Sequence, residues 1–259
     1  MRKYGLKRVY LFFSSILIFI LHLPFVFAKS KPFEDLVKQT PTVQPLMAGN
    51  ATGPEPAGSA ASMARMIYDS LRLSSMGLTQ QAYEAAIIGL NKLVEAGKIV
   101  NQNVISIIDF SRPSSKKRLF VIDLKNQKLL FNTYVAHGAN SGEAMAERFS
   151  NAPESNQSSL GFYETADTYI GKHGYSMHLM GLERGINDNA RSRDIVMHAA
   201  DYVNEDLIQA RGYIGRSWGC PAVSPELSKP IIDKIKNGTC LFIYSPDKNY
   251  YARTRLLNS

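Results

Sequence analysis

Residues 195–203 read IVMHAADYV and residues 215–223 read GRSWGCPAV, and the reading of this 259-residue chain turns on these two segments. The first opens as a short apolar run, Asp194 to His198, of the kind that forms a buried strand and delivers a histidine at its end. The second is a tight turn, Ser217-Trp218-Gly219, with a glycine directly before Cys220. A thiol becomes a strong nucleophile only as a thiolate, so it needs a base or a positive environment. Glycine beside it lets the backbone approach a substrate carbonyl, so that nearby N–H groups can act as an oxyanion hole. Twenty-one residues lie between His198 and Cys220. A strand carrying the histidine and a turn carrying the cysteine bring the two together.

Outward from this stretch, strand patterns dominate. Val104–Phe110, Leu119–Leu124 and Lys128–Val135 read as strands, the last two joined by Lys125-Asn126-Gln127 as a hairpin. A Gly-rich polar bend follows at residues 136–142, then a long irregular segment over 143–160, a length that in a compact domain is usually functional or disordered. Leu160–Ile170 and Tyr175–Leu182 return to strand patterning, with Gly171 and Gly174 between them. Residues 185–189 form a turn of Asx side chains, and residues 204–209 a short helix. Ser224 and Pro225 start a helix with buried Ile231, Ile232 and Ile235, ended by Gly238, and Thr239–Tyr244 closes the domain as a strand. Upstream, Met63, Met66, Ile67, Tyr68 and Leu71 give one helical stripe. Tyr83, Ala86, Ile87, Leu90, Leu93 and Val94 give a second, capped by Thr79 and stopped by Gly97.

The organisation expected is a signal peptide at 1–28, a flexible linker at 29–60, a helical hairpin at 61–99, a mainly β catalytic domain at 100–248 and an exposed basic tail at 249–259. Arg2, Lys3, Lys7 and Arg8 precede an apolar run from Val9 to Phe27 that ends in Val26-Phe27-Ala28, the arrangement of a secretory signal. Uncleaved, the same run is long enough to anchor the chain in a membrane. The formal charge of +8 falls to +4 once those four basic residues are set aside. A mildly basic exported chain suits an anionic polymer such as cell wall. No arginine-rich stripe with interleaved aromatics points to nucleic acid. His173, His178 and His198 have no helical metal-ligand spacing, and GxSxG and phosphate-loop glycine patterns are absent. Neither metal nor organic cofactor is expected. Cys220 and Cys240 are the two cysteines, and in an oxidising compartment such a pair is by default a disulfide.

RSWGCPAV preceded by IVMH resembles the signature of the L,D-transpeptidase catalytic domain of the YkuD type, and RLFVIDLKNQKLLFNTYVAHG resembles that domain's opening hairpin. The resemblance spans about residues 104–245 and makes the helices before residue 100 an addition to the family core. It departs from the common pattern at Trp218, where many members have a second histidine, at Ala199 in place of glycine, and at Pro221-Ala222-Val223. The resemblance implies a β-sandwich-type fold with short inserted helices, and an acyl transfer with Cys220 as nucleophile and His198 as base. Ser217, Trp218 and Gly219 would form the oxyanion turn, with the backbone N–H groups of Trp218, Gly219 and Cys220 stabilising the oxyanion. Arg216, His137, His178 and Asn187 are candidates for binding substrate, and Tyr163 and Tyr175 for packing. The implied partner is the peptide stem of peptidoglycan, and the implied location periplasmic or cell-wall associated. Three readings stay open: an L,D-transpeptidase, an L,D-carboxypeptidase passing the same acyl-enzyme to water, and a non-catalytic wall-binding protein with Cys220 and Cys240 bridged.

Overall fold

The computed structural model describes residues 60–258; the expected signal peptide and nearly all of the expected linker lie outside them. The chain runs α1 (Ala60–Ser70), α2 (Gln80–Glu95), β1 (Asn101–Asp109), β2 (Leu119–Asp123), β3 (Lys128–Thr133), β4 (Gly161–Gly171), β5 (Gly174–Gly181), β6 (Val196–Ala199), α3 (Glu205–Arg211), β7 (Ala222–Val223), α4 (Pro225–Ile235), β8 (Thr239–Tyr244) and α5 (Lys248–Arg253). The strands form one eight-stranded sheet in the order β3-β2-β1-β8-β4-β5-β6-β7. Two pairs are parallel, β1 with β8 and β6 with β7.

The two outer strands are brought together by the chain that follows β3. Ala136 N–H donates to Ala222 O at 2.8 Å, Ser217 N–H to His137 O at 2.9 Å, and Ala139 N–H to Ser217 O at 2.7 Å. These bonds satisfy edge groups that would otherwise lie bare, and they curl the sheet into a nearly closed barrel or sandwich. The mainly β expectation holds. The seam lies beside the turn that carries Cys220.

The helical hairpin is not a separate layer of its own. Ile67, Tyr68, Tyr83, Leu90 and Leu93 join the same buried core as Ile105, Ile107, Phe162 and Phe242. Gly89 explains how closely α2 lies on the sheet: a Cβ there would come within 2.0 Å of Phe162 Cζ, and Phe162 stacks on Phe242 with centroids 4.1 Å apart. Thr79 caps α2 as expected, its hydroxyl oxygen accepting from Ala82 N–H at 3.3 Å. The same hydroxyl donates to Asp109 Oδ2 at 2.9 Å, which pins the cap to the end of β1.

The basic tail is a correction. Residues 248–253 form α5, with Tyr250 buried and its hydroxyl donating to Glu183 Oε1 at 2.9 Å, and Thr254 is also buried. Lys248, Arg253 and Arg255 gave these residues a polar look, yet Tyr250 and Thr254 satisfy a buried carboxylate. An unpartnered Glu183 would be costly to bury.

Candidate active site

β6 and β7 lie side by side and parallel, with His198 opposite Ala222. That register sets the histidine beside the chain leading out of the Cys220 turn. Between them the chain loops out through α3 and returns where Gly215 N–H donates to Tyr202 O at 2.7 Å.

The turn is held from within and from outside. Ser217 Oγ donates to Cys220 O at 2.6 Å and accepts from Gly219 N–H at 3.1 Å. Gly219 has φ +124°, and a Cβ there would meet Gln157 O at 2.8 Å, so both conformation and space demand glycine. Gly219 O accepts from Ser158 Oγ at 3.1 Å. The Gly219 N–H is therefore spent inside the turn. Among the described residues, the N–H groups of Trp218 and Cys220 have no protein acceptor.

Cys220 is half-buried; its Sγ accepts from Val196 N–H and donates to Asp194 O, each at 3.5 Å. Burial pushes its thiol above the ordinary value, while the Val196 N–H bond and the Arg193 charge pull the other way. His198 is buried, and its Nδ1–H donates to Ala199 O at 2.8 Å. A carbonyl can only accept, so this bond fixes the tautomer and leaves Nε2 with a free lone pair. Burial lowers the His198 pKa, and His173 and Lys172 lower it further. Both groups thus rest uncharged, as a thiol and a neutral imidazole. Cys220 and Cys240 are free thiols, and Cys240 lies fully buried within β8, so the bridge required by the wall-binding reading is not present.

Two of the candidate substrate-binding residues are structural instead. His137 is fully buried, takes a hydrogen bond from Arg118 Nη2 on Nδ1 at 2.7 Å, and donates from Nε2 to Gly142 O at 3.2 Å. Arginine can only donate, so the ring is neutral; burial holds its pKa down at about 3. Asn187 is also fully buried: its amide donates to Leu160 O and Phe162 O, each at 3.0 Å, and its carbonyl oxygen accepts from Glu183 N–H at 2.9 Å. A buried amide with three bonds clamps the fold and has no surface to offer a ligand. The Asx turn was legible, but which side of it faces inward was not.

His178 sits opposite Val196 and so on the His198 side of the sheet, where it pairs with Asp167 at 3.0 Å and stacks on Tyr169. Arg216 donates to Gly142 O at 3.1 Å and borders a cavity of about 540 Å³ with Glu143, Glu147 and Arg148. Trp218 is 74% exposed. Tyr163 is fully buried and Tyr175 donates to Asp233 on α4 at 2.9 Å, both packing roles as expected.

Three residues at the site escaped the sequence reading as site residues. Arg193 makes four hydrogen bonds, to Ser150 O, Ser159 Oγ, Ser155 Oγ and Gln157 O, between 2.7 and 3.1 Å. It thereby moulds the irregular segment 143–160 into the wall that meets Gly219. Lys172 and His173, in the β4–β5 turn, contact Trp218 and His198 respectively. The one signal in the sequence was position: Arg193 stands immediately before the strand of His198, and Lys172-His173 is a polar pair between two glycines. Among the described residues no group of three or more His, Cys, Asp or Glu side chains is placed to hold a metal ion.

A search of curated proteins returns no match. Solved structures show distant similarity. An L,D-transpeptidase from Mycobacterium smegmatis is 12% identical with a TM-score of 0.34, over 55% of this chain and 59% of that one. An L,D-transpeptidase from Stackebrandtia nassauensis is 14% identical with a TM-score of 0.34, over 73% and 78%. A fused Zn-dependent amidase/peptidase/peptidoglycan-binding domain-containing protein from Clostridium acetobutylicum is 16% identical with a TM-score of 0.35, over 82% and 72%. The first of these therefore extends well beyond what this chain spans, and likeness at this level transfers no residue role. The family model is more direct: that of the L,D-transpeptidase catalytic domain matches residues 74–244, which take in α2, so this helix lies within the matched region and is no addition to it. With the strand-borne histidine, the glycine-bound cysteine turn and most of the chain matched together, this protein belongs to the L,D-transpeptidase catalytic domain family.

Proposed function

We propose that the chain is an exported cysteine acyltransferase acting on peptidoglycan stem peptides, an L,D-transpeptidase. One observation supports this most: His198 and the Cys220 turn are carried by adjacent parallel strands, with the imidazole tautomer set so that Nε2 can take a proton. Cys220 Sγ attacks the carbonyl carbon of the diaminopimelate residue in a tetrapeptide donor, and the thiol proton passes to His198 Nε2. Trp218 and Cys220 N–H groups, without an acceptor among the described residues, receive the developing oxyanion in place of Gly219 N–H. The C–N bond to D-Ala breaks, its nitrogen takes the proton from His198, and a thioester remains. An amine of a second stem then attacks the thioester carbon, gives its proton to His198, and the sulfur leaves as thiolate to be reprotonated. Export is supported by the basic start and the apolar run ending at Ala28.

The test is mass spectrometry of products from disaccharide-tetrapeptide muropeptides incubated with the wild type, Cys220→Ala and His198→Ala. Cross-linked dimers from the wild type alone are expected, with the two variants at least 10³-fold slower, on the order of what a nucleophile or its base contributes. Tripeptide without dimer would hand the acyl group to water and make the enzyme a carboxypeptidase. Dimer formation by Cys220→Ala would sink the mechanism.

A further inference from the structure

The β4–β5 turn reaches over the site. Its two residues, Lys172 and His173, contact both halves of it: the His173 ring stacks on His198 with centroids 4.4 Å apart and planes 28° apart, and Lys172 Nζ stands 5.2 Å from the centre of the Trp218 ring. All three outer residues, Lys172, His173 and Trp218, are exposed. An exposed tryptophan contributes little to a core; beside a nucleophile it is placed to meet a ligand. The charges around the thiol are Lys172, Arg193 and Asp194. Arg193 spends its guanidinium on four hydrogen bonds to the 150–159 segment. No ion pair joins Lys172 to an acid among the described residues, and its ammonium lies over the ring of Trp218. A cation over an aromatic face keeps its N–H donors free to bind an anion.

We propose that Lys172, held over Trp218, is a carboxylate-binding subsite for the acyl donor, selecting peptides that carry a free carboxylate on a residue flanking the bond Cys220 attacks. The inference rests on the donor chemistry proposed above, which offers two such groups: the terminal carboxylate of the leaving D-Ala and the free carboxylate of diaminopimelate. Trp218 gives the subsite its floor and Lys172 its charge. The neighbouring His173 ring ties the same turn to the base, so the bound carboxylate and the proton acceptor share one support.

The experiment compares three donors with the full chain: the tetrapeptide stem, the same stem ending in D-alaninamide, and the same stem with the diaminopimelate carboxylate amidated. Release of D-Ala or D-alaninamide gives kcat and KM for wild type, Lys172→Met and Lys172→Arg. Wild type is expected to favour the unmodified donor over one of the two amides by about tenfold in kcat/KM, the worth of one partly exposed charge-assisted contact. The disfavoured amide identifies which carboxylate is bound. Lys172→Met should lose that preference through a raised KM for the unmodified donor, and Lys172→Arg should keep most of it. Equal turnover of all three donors by wild type, or an undiminished preference in Lys172→Met, would overturn the subsite alone. Failure of wild type to turn over any donor would overturn the acyl-transfer reading and the subsite with it.

Discussion

At Cys220 and His198 burial works on both groups in the same sense, against charge. It raises the thiol and lowers the imidazole, so the resting pair is neutral; in the mechanism proposed above the proton moves only when a carbonyl arrives. The sign for catalysis follows. As the proposed base, His198 accepts a proton only when unprotonated, so acylation is expected to rise with pH through a limb below the ordinary imidazole value of about 6.5. Burial first, then His173 and the Lys172 ammonium, help to hold it there, whereas the Ala199 carbonyl acts in the opposite sense. Removing the ammonium in Lys172→Met relieves repulsion of the imidazolium, so the acidic limb is expected to move to higher pH. The pH dependence of kcat/KM for the two proteins measures this. A limb at or above 6.5 in wild type, or no upward movement in the variant, would contradict the electrostatic reading.

Among the elements, α2 shows how a locally poor residue can be globally right. Gly89 in mid-helix costs about 1 kcal/mol against alanine. Its bare Cα is what lets the helix settle onto Phe162, where any Cβ would overlap the ring. Gly89→Ala gains that propensity but must push helix and sheet apart, an overpacking cost of roughly 1–3 kcal/mol. We expect a net loss of about 1 kcal/mol, read as a lower urea midpoint with unchanged slope. A stabilised variant would mean that the ring moves aside freely.

For the whole molecule, the barrel seam depends on a buried cation beside a neutral histidine. Arg118 Nε and Nη2 donate to Val135 O at 3.1 and 2.9 Å, Nη1 donates to Arg112 O at 2.9 Å, and its guanidinium lies 4.6 Å from the centre of the Phe110 ring. His137 shares that site and resists protonation until about pH 3, through burial first and the Arg118 charge second. In the unfolded chain its pKa returns to about 6.5. Between these values the unfolded state binds a proton that the folded state refuses, so stability contributed here is complete above about pH 6.5 and is lost as pH falls toward 3. Glu183, raised by burial, works in the opposite sense over part of the acid range, so the comparison that isolates His137 is between proteins. His137→Gln keeps a polar group at the seam but cannot titrate. Chemical denaturation at pH 7 and pH 4.5 should show a smaller acid loss in His137→Gln than in wild type. Equal losses would remove His137 from the account.

The amino-acid sequence by itself determined the strands β1 to β6 and β8, the Thr79 cap, the proline-started α4 with its isoleucine stripe, and the two segments that carry a strand-end histidine and a glycine-bound cysteine. These are written in local period and local chemistry, within a turn or two of the residues concerned. The tertiary structure decided which polar residues face inward. Asn187 reaches Leu160, Glu183 reaches Thr254, and Arg118 reaches His137, and only the folded sheet brings such partners together. It also decided the site's roof, because nothing in the tetrapeptide Gly171-Lys172-His173-Gly174 says that the turn will bend over His198 and Trp218. A side chain's polarity gives the bonds it needs; where those bonds are found depends on closure of the sheet, a long-range property that no short window of sequence carries.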